Sequence, residues 1–93
     1  MNKYEILYIL ASGLEETAYA AAADKYKELV EKSGGTVENV DKWGVKKFAF
    51  PIGYKNEGYY VLMTFTAKPD LPLEMERQMR LSDEVVRHLI VRK

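Results

Sequence analysis

His88 is the one histidine of this chain and cysteine is absent, so the side chains that most often act as base, metal ligand or nucleophile are nearly missing. His88 has no second histidine to complete a metal shell, and Asp83 and Glu84 lie at a turn rather than at fixed ligand spacing. It reads as a structural or surface histidine, with a place facing a bound partner as the other reading. Ser12, Ser33 and Ser82 fall at a helix cap, a helix end and a turn, where serine is favoured for its hydrogen bonds. Glu15-Glu16 and Asp83-Glu84 occupy first-turn or turn positions explained by capping and the helix dipole. No G-x-x-x-x-G-K run cradles a phosphate. The expectation is a chain without catalytic residues, metal or cofactor.

A different chemistry is suggested between Lys42 and Tyr60. Lysines 42, 46, 47 and 55 alternate there with Trp43, Phe48, Phe50, Tyr54, Tyr59 and Tyr60, and no carboxylate intervenes from Lys42 to Asn56. Cations for phosphates beside rings for bases suit a nucleic acid. The same pattern also fits Phe48 and Phe50 alternating into a core while lysines guard an edge strand. Spacing leaves both readings open. Val85 to Lys93 holds Arg87, His88, Arg92 and Lys93 and is likewise free of carboxylates.

The elements that position these residues can be read from periodicity. Lys3 to Leu10 (KYEILYIL) is a short apolar run with both faces apolar, a buried strand. Ser12 stands three residues before Glu15, capping-box spacing, so a helix is expected from about Leu14. Ala18, Ala22, Tyr26 and Val30 recur at i+4 with Leu29 beside them, and Gly34-Gly35 ends that helix. Thr36 to Val40 resumes as strand. Trp43-Gly44 is a place for a bulge before Val45 to Ile52, and Pro51 marks an edge strand.

Gly53 to Gly58 is expected to be a hairpin loop longer than two residues. Tyr59 to Ala67 then alternates, with Val61, Met63, Phe65 and Ala67 on one side and Tyr60, Leu62, Thr64 and Thr66 on the other. Leu71, Met75 and Met79 mark a second helix opened at Pro69-Asp70, with Pro72 in its first turn. Val85 to Val91 is the last strand. This β-α-β-β-α-β order predicts a ferredoxin-like α+β fold, two helices on one face of a four-stranded antiparallel sheet. A central first strand puts Leu7 and Ile9 beside Tyr60 and Leu62 on the uncovered face, and sends Ile6, Tyr8 and Leu10 into the core. An exposed apolar patch of that kind calls for a partner or an oligomer.

Length and composition bound the rest. At 93 residues, 47% apolar and 30% charged, the chain is expected to form one domain over 1–93. Fourteen basic and fourteen acidic side chains cancel, so any nucleic-acid binding must be local. No apolar run approaches the roughly 20 residues that span a bilayer, and Met1 to Glu5 lacks a secretory pattern, so the chain is read as cytosolic.

Two known families share features with the sequence. Leu7 to Leu10 and Gly58 to Phe65 are weakly similar to the two sheet motifs of the RNA-recognition motif, but Glu57 stands where a base is expected and Tyr60-Val61 breaks the Gly/aromatic alternation. By contrast, DKWGVKKFAFPI (Asp41 to Ile52) and RLSDEVVRHLIVRK (Arg80 to Lys93) resemble bacterial small-subunit ribosomal protein six, as do KYEILYIL, EKSGGTVENVDKWG and EGYYVLMTFTAKP. That resemblance spans nearly the whole chain. It implies a structural, non-enzymatic role on the central domain of small-subunit ribosomal RNA, as a heterodimer with ribosomal protein eighteen.

Carried over by position, Lys46 and Lys47 match the family's basic pair, Tyr4 the tyrosine of the first strand, and Arg87, His88 and Arg92 the final basic strand. With Lys3, Tyr54 and Lys55 these are the expected RNA contacts. Leu7, Ile9, Trp43, Tyr60 and Leu62 are the expected partner contacts. Departures from the family pattern are Ala11-Ser12-Gly13 at the first helix, Phe48 and Phe50, the plain Ala20 to Ala23, and the stop at Lys93, where many members continue into a tail. Two other classes remain as alternatives: an acylphosphatase-like enzyme on the same fold, which would need a guanidinium near Ala11-Ser12-Gly13, and a self-associating binding domain.

Overall fold

The computed structural model describes the backbone of residues 1–52 and 55–93, and the side chains of 1–47 and 57–93. Six elements follow in the expected order: β1 (Asn2–Ala11), α1 (Glu16–Lys32), β2 (Thr36–Ile52), β3 (Lys55–Ala67), α2 (Leu71–Leu81) and β4 (Val85–Arg92). The strands form one antiparallel sheet in the order β2-β3-β1-β4. β1 and β3 are central because their inward positions carry the bulk of the apolar mass. β2, with Pro51, lies on an edge as expected.

Alternation along the central strands sorts their side chains between two faces. Tyr4, Ile6, Tyr8 and Leu10 of β1 and Tyr59, Val61, Met63, Phe65 and Ala67 of β3 are buried toward the helices. Against them α1 lays Tyr19, Ala22, Tyr26 and Val30, and α2 lays Leu71, Met75 and Met79. Both helices therefore exist as the i+4 stripe required, each large apolar side chain contributing about 1.5–3 kcal/mol by leaving water. Tyr19 stacks on Tyr59 with centroids 4.0 Å apart, and Tyr8 meets the edge of Tyr26 at 5.3 Å.

The start of α1 differs from expectation. The helix begins at Glu16, its N-cap is Glu15, and no side chain caps it. Ser12 is too far upstream to reach the first free N–H groups. The loop is held instead by Tyr19, whose hydroxyl donates to the Ala11 carbonyl at 2.9 Å and accepts the Leu14 N–H at 3.3 Å. At the other end the Gly34 and Gly35 N–H groups donate to the Glu31 and Val30 carbonyls at 3.1 and 3.0 Å, a Schellman closure. The two glycines serve different needs: Gly34 has φ +89°, whereas a Cβ on Gly35 would lie 2.6 Å from the Thr66 carbonyl oxygen.

The β2–β3 hairpin is longer than the sequence suggested. β3 starts at Lys55, four residues before Tyr59, and Ile52 pairs with Lys55. Lys55 to Gly58 are strand because they continue the ladder with β2, which local turn chemistry does not reveal. Gly53 and Tyr54 lie outside the described residues, as do the side chains of Phe48, Phe50 and Lys55. The expected bulge is present, with the register shifting between Lys42 and Gly44 and Gly44 at φ +85°.

Candidate partner and nucleic-acid interface

With both helices on one side, the register specifies the other side residue by residue, since paired positions project together. Four rows cross the sheet on the uncovered face. Lys3 sits beside Thr66 and Thr36. Next, Val91 pairs with Glu5, Thr64 and Asn39, then Leu89 with Leu7, Leu62 and Asp41, and last Arg87 with Ile9, Tyr60 and Gly44. Each full row covers three strand gaps, about 14 Å.

The two ends of this face are chemically distinct. At the first, cations are already paired: Lys3 Nζ lies 3.0 Å from Glu38, and Lys93 Nζ lies 3.2 Å from Glu5. The Thr66 hydroxyl donates to Glu38 at 2.7 Å, and this bond, with Lys3, pulls the Glu38 carboxyl below its ordinary range. At the opposite end, Lys46 pairs in register with Gly58 just beyond the last row. Neither Lys46 nor Arg87 is in an ion pair among the described residues. Between the ends, Leu7, Ile9, Tyr60 and the segment Arg87–Leu89 line a shallow groove of about 240 Å³.

Trp43 joins the second end through the bulge. The extra residue allows Trp43 and Gly44 to share a face, and the indole runs nearly parallel to Tyr60, centroids 6.2 Å apart and planes 12° apart. Its N–H donates to the Asp41 carboxylate at 3.0 Å, and Lys46 Nζ hangs 5.9 Å from the ring.

The remaining expected contacts are placed differently. The expected basic pair Lys46 and Lys47 divides between the faces, because neighbouring strand residues project oppositely and Lys47 pairs with Glu57 on the helix side of the ladder. His88 and Arg92 likewise take the helix side, in register with Tyr8 and Tyr4, so the final basic strand does not present one basic face. His88 Nε2 stands 4.0 Å from Glu76 of α2, and Arg92 donates to Asn2 at 3.1 Å. Tyr4 is buried with its ring 5.6 Å from Phe65, so packing occupies the face that a base would need. Tyr54, and the side chain of Lys55, lie outside the described residues.

Two members of the open face were not singled out from sequence. Leu89 and Val91 are 62% and 44% exposed there. The alternation in VVRHLIVR carried that signal, because Arg87, Leu89 and Val91 form one side of a period-two pattern. Among the described residues no cluster of histidine or carboxylate side chains could hold a metal, and no helix is long and apolar enough to cross a membrane.

Four antiparallel strands, two helices confined to one face, and an opposite face that no helix covers define a ferredoxin-like α+β protein. Residues 3–92 match the sequence profile of the family described as Ribosomal protein S6. The small ribosomal subunit protein bS6 of Clostridium novyi (strain NT) is 52% identical over 91 residues, covering 98% of this chain and 96% of that protein. That of Clostridium kluyveri is 50% identical over 92 residues, covering 99% and 97%. The crystal structure of 30S ribosomal protein S6 from Thermotoga maritima superposes with a TM-score of 0.92 at 27% identity, over 99% of this chain and 87% of that one. The chain belongs to the ribosomal protein S6 family, structural proteins of the small ribosomal subunit in the bacterial cytoplasm.

Proposed function

We propose that this chain binds the central domain of small-subunit ribosomal RNA as a heterodimer with ribosomal protein eighteen, and that it works as architecture rather than as an enzyme. The observation that carries the reading is the division of the open face: aliphatic groups at Leu7, Leu62 and Leu89, and two cations without an ion pair among the described residues, Lys46 and Arg87, at one end beside Trp43 and Tyr60. The aliphatic middle suits a protein through Leu7, Leu62 and Leu89, while Ile9, expected as a partner contact, is 6% exposed and only floors the groove; the cations suit phosphates. Lys3 can join them only by exchanging its present partner, and Lys47, His88 and Arg92 only from the other side of the sheet.

The test is binding of a central-domain RNA fragment across a salt series, with and without protein eighteen. Lys46→Gln and Arg87→Gln should each flatten the slope of log affinity against log salt by about one unit. Leu89→Asp should leave binding to RNA alone intact and abolish the gain from protein eighteen. Unchanged slopes would remove Lys46 and Arg87 from the RNA contact. A second reading, self-association, is favoured by the exposure of Leu89 and Val91 on edge strand β4. Sedimentation of the isolated chain decides it, because the heterodimer reading expects a monomer at micromolar concentration.

A further inference from the structure

We infer that Trp43 and Tyr60 form a stacking platform for an unpaired nucleobase of the bound RNA, with adjoining phosphates held by Lys46 and Arg87. This rests on the RNA-binding reading above and names the part of the RNA taken at one end of the open face. Four observations support it. Trp43 is a large aromatic left 42% exposed, where packing alone would bury it. It is aimed by construction: a glycine at φ +85° bends β2, and the Asp41 carboxylate fixes the indole N–H at 3.0 Å. The nearly parallel Tyr60 extends the aromatic surface inward, and Gly44 and Gly58 beside it add no side chain to this face.

The fourth observation is charge. Lys3 and Lys93, at the far end, are matched by Glu38 and Glu5, whereas Lys46 and Arg87 have no carboxylate partner among the described residues and flank the rings. Asp41 opposes a polyanion: its hydrogen bond from the indole occupies one carboxylate oxygen and leaves the negative charge in place, so the two cations have to outweigh it. Single-stranded nucleic acid is held by this combination of ring faces for bases and cations for backbone. A protein surface would be served by Trp43 but has no general need for the two unmatched cations. A duplex would meet the cations but could not offer a base face to the rings.

Trp43 is the only tryptophan of the chain, so its emission reports on this site alone. The full chain is titrated with a labelled central-domain RNA fragment containing unpaired loops and, separately, with a blunt RNA duplex of equal length. Anisotropy of the label gives binding, and tryptophan emission gives stacking. The expected result is saturable quenching by the looped RNA, with the same midpoint as the anisotropy, and none by bound duplex. Trp43→Ala should weaken the looped RNA by roughly 5- to 150-fold, the range that stacking one base corresponds to, with the salt slope unchanged. Trp43→Phe should recover most of that loss, and melting curves of both variants report on folding.

If the looped RNA binds and Trp43→Ala stays within twofold, or the emission does not change at saturation, the platform is wrong while the RNA reading survives. Quenching by protein eighteen alone, with no further change on adding RNA, would assign the rings to the protein partner and overturn the proposal. No anisotropy change with either RNA would remove the parent reading and the platform together.

Discussion

The Tyr8 hydroxyl is the buried polar group without a hydrogen-bond partner among the described residues, which makes Tyr8→Phe a sharp test of the packing. The Tyr8 side chain is fully buried, its ring against the edge of Tyr26 at 5.3 Å. Removing one oxygen leaves both aromatic contacts in place. What disappears is the desolvation of an unpaired hydroxyl, so the variant should gain about 1–2 kcal/mol. For a chain of this size that is a rise in Tm of about 4–8 °C per kcal/mol. The matched control is Tyr19→Phe. Its hydroxyl serves the Ala11 carbonyl and the Leu14 N–H, and losing it should cost about 1–2 kcal/mol. Urea melts followed by circular dichroism measure both.

The same site gives an independent pH arm. Burial raises the Tyr8 ionisation above its ordinary 10, with smaller contributions from Tyr26, Tyr59 and Asp24. With the folded value raised, the native state holds the proton longer than the unfolded chain. The stability contributed is therefore full below pH 10 and falls as pH rises beyond it. Tyr8→Phe should make the alkaline loss shallower, although Tyr26 and Tyr59, also raised by burial, retain part of it. A Tyr8→Phe variant that is less stable by 1 kcal/mol or more at pH 7, with an unchanged alkaline arm, would refute the reasoning, since the hydroxyl would then have a partner.

Other expectations follow from single contacts. Gly35→Ala should destabilise by about 1–3 kcal/mol in urea melts, because its Cβ would meet the Thr66 carbonyl oxygen at 2.6 Å and Val30 Cγ1 at 2.9 Å, neither able to withdraw freely. Gly44→Ala faces open space but a φ of +85°, so it should cost about 1–2 kcal/mol by backbone strain and also shift the Trp43 emission as the bulge relaxes. Glu74 is held down at about 2 from 4.5 by its hydrogen bonds from Arg77 and then Gln78, so the stability it adds is present above pH 4.5 and lost as pH falls toward 2. Arg77→Met should flatten that acid arm in melts taken between pH 2 and 5.

Where local pattern and tertiary need agreed, the sequence was readable. The i+4 stripe Ala22, Tyr26, Val30 and the alternation Val61, Met63, Phe65 each specify one buried face, and together they leave the side bearing Leu7 and Leu62 uncovered. Ser12 and Glu15 have capping-box spacing but not its outcome, because the Tyr19 hydroxyl, eight residues after the Ala11 carbonyl it bonds, holds the loop. The early start of β3 was hidden for a related reason: strand pairing overrode the turn-like Asn56 and Gly58. Lys46 and Lys47 teach a different lesson. Their opposite projection follows from strand period alone, and matching them as a motif obscured it. Arg87 and His88 divide in the same way.

The sorting of charge follows from where the ladder lies relative to the helices. At the end of the face holding Lys3 and Glu5, the strand termini converge, and opposite charges from β1, β2 and the segment after β4 come within 3.0–3.2 Å. At the other end β2 and β3 run on as a two-stranded ribbon from Lys46-Gly58 to Ile52-Lys55, with no further strand to bring in a carboxylate on the open side. Lys46 there has the Trp43 ring 5.9 Å from its Nζ and, like Arg87 of the last row, no ion pair among the described residues. Exposed pairs contribute little to stability in any case, so leaving Lys46 and Arg87 unmatched costs the fold almost nothing. It leaves their charge available for phosphate, where release of counterions gives each contact a measurable share of affinity. On the proposed RNA-binding reading, the capacity of this end follows from hairpin length: shortening β2 and β3 by removing a cross-strand pair beyond Lys46 should leave the core intact, whereas removing the bulge at Gly44 should turn the indole off the face.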